Sequence, residues 1–206
     1  MSRLIALSAV GLAAALVGGT AGYLYYAEQD KYAHCLGVKI PGSDTIGGDF
    51  TLLSETGDLM TAAQVIDKPT LVYLGYTFCP DVCPLDIVRN AEAVDALDAQ
   101  GIDVKPVFIS VDHGRDDAES VDDFTANVHP KMLGLTGNEE QVRAAAKSFR
   151  YVYQKQETGD EDYYLISHMT LSYLMDPQEG FLAAFSRELS GEDLARQMTC
   201  FLGDEA

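Results

Sequence analysis

Apolar positions change period several times along this chain, and the changes mark its elements. A nearly unbroken apolar run from Leu4 to Tyr26 comes first, broken by Ser8, Thr20 and small glycines. It is longer than the ~7–15 residues of a cleaved signal core and matches the ~20 that span a bilayer. Tyr23, Tyr25 and Tyr26 close it, as an interfacial aromatic belt would. Residues 1–26 therefore read as an uncleaved N-terminal transmembrane anchor, N-terminus inside and the bulk of the chain outside, with a cleaved signal as the alternative. Residues 27–47, punctuated by Gly37, Pro41, Gly42 and Gly47, read as a tether, and residues 48–206 as one folded domain.

Within that domain, residues 50–53 and 59–60 flank a turn at 55–58, which predicts an N-terminal β-hairpin, and Thr61 caps a short helix through Val65. Residues 70–76 are almost all apolar, β-branched or aromatic and predict a central strand. Residues 85–100 have helical periodicity, with Ile87, Val88, Ala91, Val94, Ala96 and Leu97 on one stripe and Gly101 as the stop. A second apolar strand at 104–111, a helix at 118–128 and a short strand at 132–135 follow. Thr136 with Glu139 predicts a capping box for a helix over 137–149. A strand at 151–153 and a polar loop at 158–162 lead to a hairpin, 170–175 with 181–185, and Ser190 with Asp193 opens a last helix. This alternation predicts an α/β fold, a central mixed sheet flanked by helices in a thioredoxin-like arrangement.

The chemistry concentrates where the central strand meets its helix, in Thr77-Phe-Cys79-Pro-Asp-Val-Cys83-Pro84. Pro84 suits the first helical position, which puts Cys83 at or near the N-cap and Cys79 on the loop ahead of it. The helix dipole should lower both thiol pKa values, favouring the thiolate that acts as nucleophile and metal ligand. Open α/β sheets place their sites at this end of a central strand.

The 32 acidic against 14 basic residues, a formal net charge of −18, argue against a nucleic-acid partner. They suit a cation or a basic partner, or solubility alone. Outside the cytosol a Cys35–Cys200 disulfide would tie the ends of the domain and close a long loop; two unpaired, partly buried cysteines are the alternative.

The run from Tyr73 to Pro84, with Pro106-Val-Phe-Ile-Ser-Val-Asp112, Leu133-Gly-Leu-Thr-Gly137, Asp162-Tyr-Tyr-Leu-Ile-Ser-His168 and Tyr173-Leu-Met-Asp-Pro177, resembles the Sco (SenC) family over roughly residues 45–190. The resemblance implies a membrane-anchored, thioredoxin-like copper protein that helps assemble the dinuclear copper site of cytochrome c oxidase. It implies copper ligation by Cys79, Cys83 and His168, and a domain that faces the periplasm from the inner membrane. Two thiolates and an imidazole suit soft Cu(I), and Cu(II) would take a further ligand, for which Asp81 is the nearest loop carboxylate. No proline lies between Lys131 and Asp176, so His168 stands where thioredoxin enzymes place a cis-proline.

Two positions depart from the family pattern. His113 stands where proline is common, and Ser167 where aspartate is often found beside the histidine, which removes a carboxylate that could orient His168. Met169 is expected to pack in the core, because neighbours on a strand face opposite ways. The leading expectation is a copper chaperone. A thiol–disulfide oxidoreductase acting through Cys79 and Cys83, which would reduce the client's copper-ligand cysteines, and a redox or copper sensor are the alternatives.

Overall fold

The computed structural model describes residues 15–23, 32–38, 40, 42–156 and 163–203. It divides into two compact units, Met1–Cys35 and Leu36–Ala206. In the first, residues 15–23 are helical (α1). No helix among the described residues is long and apolar enough to cross a membrane. Residues 1–14 and 24–26 of the expected anchor, and the polar loop at 158–162, lie outside the described residues.

The second unit opens with part of the stretch read as a tether. Val38 bridges Ala184, and Ile46 is buried in the core. The expected hairpin follows as β1 (Thr51–Ser54) and β2 (Leu59–Thr61), with Leu52 opposite Met60. Thr61 and Gln64 form the capping box of α2 (Ala62–Val65). Then come β3 (Thr70–Gly75), α3 (Val82–Asp98), β4 (Lys105–Ser110), α4 (Ala118–Ala126), β5 (Leu133–Thr136) and α5 (Glu139–Ser148). The chain ends with β6 (Tyr153–Lys155), β7 (Ile166–His168), β8 (Ser172–Asp176), β9 (Gly180–Phe185) and α6 (Gly191–Leu202).

Seven strands form one sheet in the order β2-β1-β5-β4-β3-β8-β9. β3, β4 and β5 run parallel, whereas β1 joins β5 and β8 joins β3 antiparallel, so the sheet is mixed as expected. Every residue of β3 is buried, which means that both faces of the sheet are covered there. β6 and β7 form a separate two-stranded sheet. β7 is absent from the sequence-based elements, because three residues with no apolar alternation give no periodic signal.

Three local features differ from expectation. α3 begins at Val82 with Asp81 as N-cap, so Cys83 lies inside the first turn and Pro84 one residue further in. Proline is tolerated there because first-turn N–H groups have no intrahelical partner. Second, Asn138 with Gln141, not Thr136 with Glu139, forms the box that starts α5; the Thr136 hydroxyl donates instead to the Asp116 carbonyl. Third, Val88 is exposed, while Asp86, Arg89 and Asn90 of α3 are buried. α6 explains this: Gly191 lies so close to α3 that an added Cβ would sit 2.6 Å from Glu92 Cβ, and the polar groups trapped alongside bond to one another. Arg89 donates to the Ser186 carbonyl, Asn90 Oδ1 and Ser172 Oγ, and Asp86 accepts from the Tyr73 hydroxyl. The stop at Gly101 is as expected: at φ 82° its N–H reaches the Asp98 carbonyl and that of Ile102 the Leu97 carbonyl, a Schellman pattern.

Candidate metal centre

The end of β3 and the first turn of α3 bring the two cysteines together. Cys79 is 6% and Cys83 0% exposed, and both are free thiols. The Cys79 sulfur accepts the Cys83 backbone N–H at 3.4 Å, one of the first-turn donors that a helix leaves unused. The pair shares one negative charge. The Cys83 thiol as donor, helped by the backbone N–H groups of Asp81 and Cys83, draws the Cys79 pKa down to about 4. The charge on Cys79, with burial, pushes Cys83 up. This corrects the expectation that the helix start lowers both: two adjacent sulfurs in an apolar pocket cannot both ionise at low cost, and the one that collects the N–H groups takes the charge.

Gly75 makes the room for Cys83. A Cβ on it would lie 2.8 Å from the Cys83 sulfur and 3.0 Å from the Tyr73 ring. Its one sequence signal is a lone glycine inside an otherwise large-residue strand.

β7 brings in the third group. His168 Nε2 lies 3.4 Å from Cys83 Sγ, and the donor atoms of Cys79, Cys83 and His168 all fall within 4.8 Å of one another. Tyr151 orients the ring, a role that sequence reasoning missed. Its hydroxyl lies 2.6 Å from the Leu74 carbonyl, 2.6 Å from the Met169 carbonyl and 2.7 Å from His168 Nδ1. Nδ1 is itself 2.7 Å from the Met169 carbonyl. Carbonyls only accept, and burial keeps the Tyr151 phenol protonated. These partners assign the proton to Nδ1 and leave the Nε2 lone pair facing the sulfurs. The Tyr76 ring packs edge-on against the imidazole, with centroids 5.7 Å apart.

The other singled-out residues lie elsewhere. Asp81 is exposed, and its carboxylate is not in the cluster. His113 is exposed on the loop after β4. Ser167 is exposed and accepts from Gln156 Nε2 at 3.1 Å. A carboxylate at 167 would therefore point away from the His168 ring, and the tyrosine and carbonyl do the orienting instead. Met169 packs against the core, and its sulfur accepts the Val152 N–H at 3.4 Å. Cys35 and Cys200 are not among the free thiols, which are Cys79 and Cys83.

Two buried aspartates after β4 brace the surroundings. Asp116 accepts from the Thr77 N–H at 2.9 Å, the Thr77 hydroxyl at 2.6 Å and the Ser110 hydroxyl at 2.5 Å, which pins the loop leading to Cys79. Asp112 accepts from the Tyr164 hydroxyl at 2.5 Å and from Arg115 Nε at 2.6 Å.

Comparison with known proteins places this arrangement in a family. The SCO1/SenC family model matches residues 38–203. Protein SenC of Rhodobacter capsulatus is 46% identical over 202 residues, 98% of this chain and 91% of that protein. Among solved structures, Arabidopsis thaliana ScoI with copper bound superposes with a TM-score of 0.71 at 34% identity, covering 78% of this chain and 99% of that one. Bradyrhizobium japonicum ScoI with copper bound gives 0.68 at 32% identity, covering 76% and 99%. With a family model spanning most of the sequence and a relative that matches almost end to end, this thioredoxin-like chain belongs to the SCO1/SenC family.

Proposed function

We propose that this protein binds one copper ion through Cys79, Cys83 and His168 and carries it to the copper site of a cytochrome c oxidase subunit. One observation carries the reading: two sulfurs and a bare imidazole nitrogen converge within 4.8 Å in a largely buried pocket. That donor set is soft and fits Cu(I), and the relatives solved with copper bound support the choice of metal. The apolar run over residues 1–26 supports an anchor in the inner membrane, with the domain on the periplasmic side. Titration of the reduced full chain with Cu(I) tests the ligand set. One equivalent binds to the wild type, and Cys79→Ser and Cys83→Ser each abolish tight binding; a serine variant that binds as the wild type does would sink the assignment.

A second reading rests on the unequal thiols. The Cys79 thiolate can attack a client disulfide, and Cys83, after losing its proton, can resolve the mixed disulfide. The products are a client dithiol and a Cys79–Cys83 disulfide, two electrons having passed to the client. Copper carriage and this exchange use the same sulfurs in the same reduced state, so one protein can do both. Incubating the reduced full chain with an oxidised copper-site subunit separates them: this role requires client thiols to appear in step with loss of Cys79 and Cys83 thiols.

A further inference from the structure

β7 carries the third ligand, yet it pairs with β6 alone and makes no ladder with the seven-stranded sheet that carries the cysteines. His168 therefore needs some other tie to fix its distance from the sulfurs. The loop after β4 supplies one. Tyr164, two residues ahead of β7, donates to Asp112 at 2.5 Å. Its ring lies under the Arg115 guanidinium at 3.5 Å and the Lys155 ammonium at 3.7 Å, both measured to the ring centroid. Two cations that close to one centroid must occupy opposite faces, so the ring is clamped between the β4 loop and β6. The same loop grips the other half of the site. Arg115 also covers the Phe78 ring at 4.8 Å, next to Cys79, and Asp116 holds Thr77 by backbone and hydroxyl.

We propose that Asp112, Arg115 and Tyr164 form a clasp that sets the position of His168 relative to Cys79 and Cys83. These are positioning residues, since the proposed ligands are Cys79, Cys83 and His168. The inference rests on the ligand set proposed above, and it adds what holds the third ligand in place. Ring orientation comes from Tyr151; the Ile166 N–H, donated to the Tyr76 hydroxyl at 3.3 Å, ties one point of β7 to the end of β3, and the clasp adds the hold on the segment that leads into the strand. Its components come from the Asp112-His-Gly-Arg115-Asp116 run and from the segment before His168, which are far apart in sequence and meet only in the fold.

A coupling cycle tests it. Copper affinity is measured for the full chain as wild type, Tyr164→Phe, His168→Ala and the double variant, with Asp112→Asn as a second way to open the clasp. The clasp predicts about tenfold weaker binding in Tyr164→Phe, the low end of what supporting partners of a ligand typically contribute. It predicts no further loss when the same change is made in His168→Ala, because the clasp acts only through the histidine. Asp112→Asn should repeat both results. Unchanged affinity in both single clasp variants overturns the proposal, as does an equal loss with and without His168, which would mark a merely structural role. If His168→Ala binds copper as the wild type does, the ligand set itself fails, and the clasp falls with it for that separate reason.

Discussion

Cys79 and Cys83 differ by what each sulfur touches. Cys79 accepts N–H groups at the start of α3, and Cys83 stays a thiol against it. Alkylation reads this directly, because only the thiolate reacts. With a Cys79 pKa of about 4, its reaction with iodoacetamide should hold a flat rate from neutral pH down to pH ~5 and halve near pH ~4. A thiol with an unshifted pKa would instead slow about tenfold per pH unit below ~8. Gly75→Ala is the matching steric test. Its Cβ would have to displace the Cys83 sulfur or the Tyr73 ring, neither of them the end of a flexible chain. We expect ~1–3 kcal/mol of lost stability in denaturant titration, with copper affinity at least about tenfold lower, equivalent to ~1.4 kcal/mol. Unchanged stability and affinity would mean that the strand yields easily at this point.

At the scale of elements, β3 and α3 hold the sulfurs rigidly, and β6–β7 hold the histidine through side chains. Because Ser167 faces away from the ring, Ser167→Asp should leave copper affinity within about twofold, read by competitive titration. A gain of tenfold or more would show that the strand presents this position to the site. The elements themselves were legible to the extent that their signals were local. The apolar run Leu71-Val-Tyr-Leu74 in β3, a hairpin around Asp176–Gly180 and Ser190 at the start of α6 each speak within a few residues. The CxxxC pair marked the site for the same reason. Tyr151, Asp112, Arg115 and Tyr164 gave no such signal, because each works by meeting a residue distant in sequence: Tyr151 and His168, Asp112 and Tyr164. The starting point of α3 was misplaced because Pro84 fits either of two first-turn positions. The unequal thiols were missed because spacing alone cannot say which sulfur the backbone N–H groups reach.

For the molecule as a whole, charge and site act in one direction. A net charge of −18 repels itself within a compact domain and attracts cations and basic surfaces. Raising NaCl from ~10 to ~100 mM shortens the screening length from ~30 to ~10 Å. The thermal midpoint should rise over that range, and a fall would mean that the surface ion pairs outweigh the repulsion. The central claim is that a sheet built around β3 and a separate β6–β7 pair together make one copper site. The direct measurement is Cu(II) titration of the full chain and of His168→Ala, followed by the sulfur-to-copper absorption bands and by the nitrogen splitting in electron paramagnetic resonance. The account predicts one equivalent with sulfur bands and nitrogen splitting in the wild type, and weaker binding without that splitting in the variant. The same affinity and the same spectrum in both would contradict it.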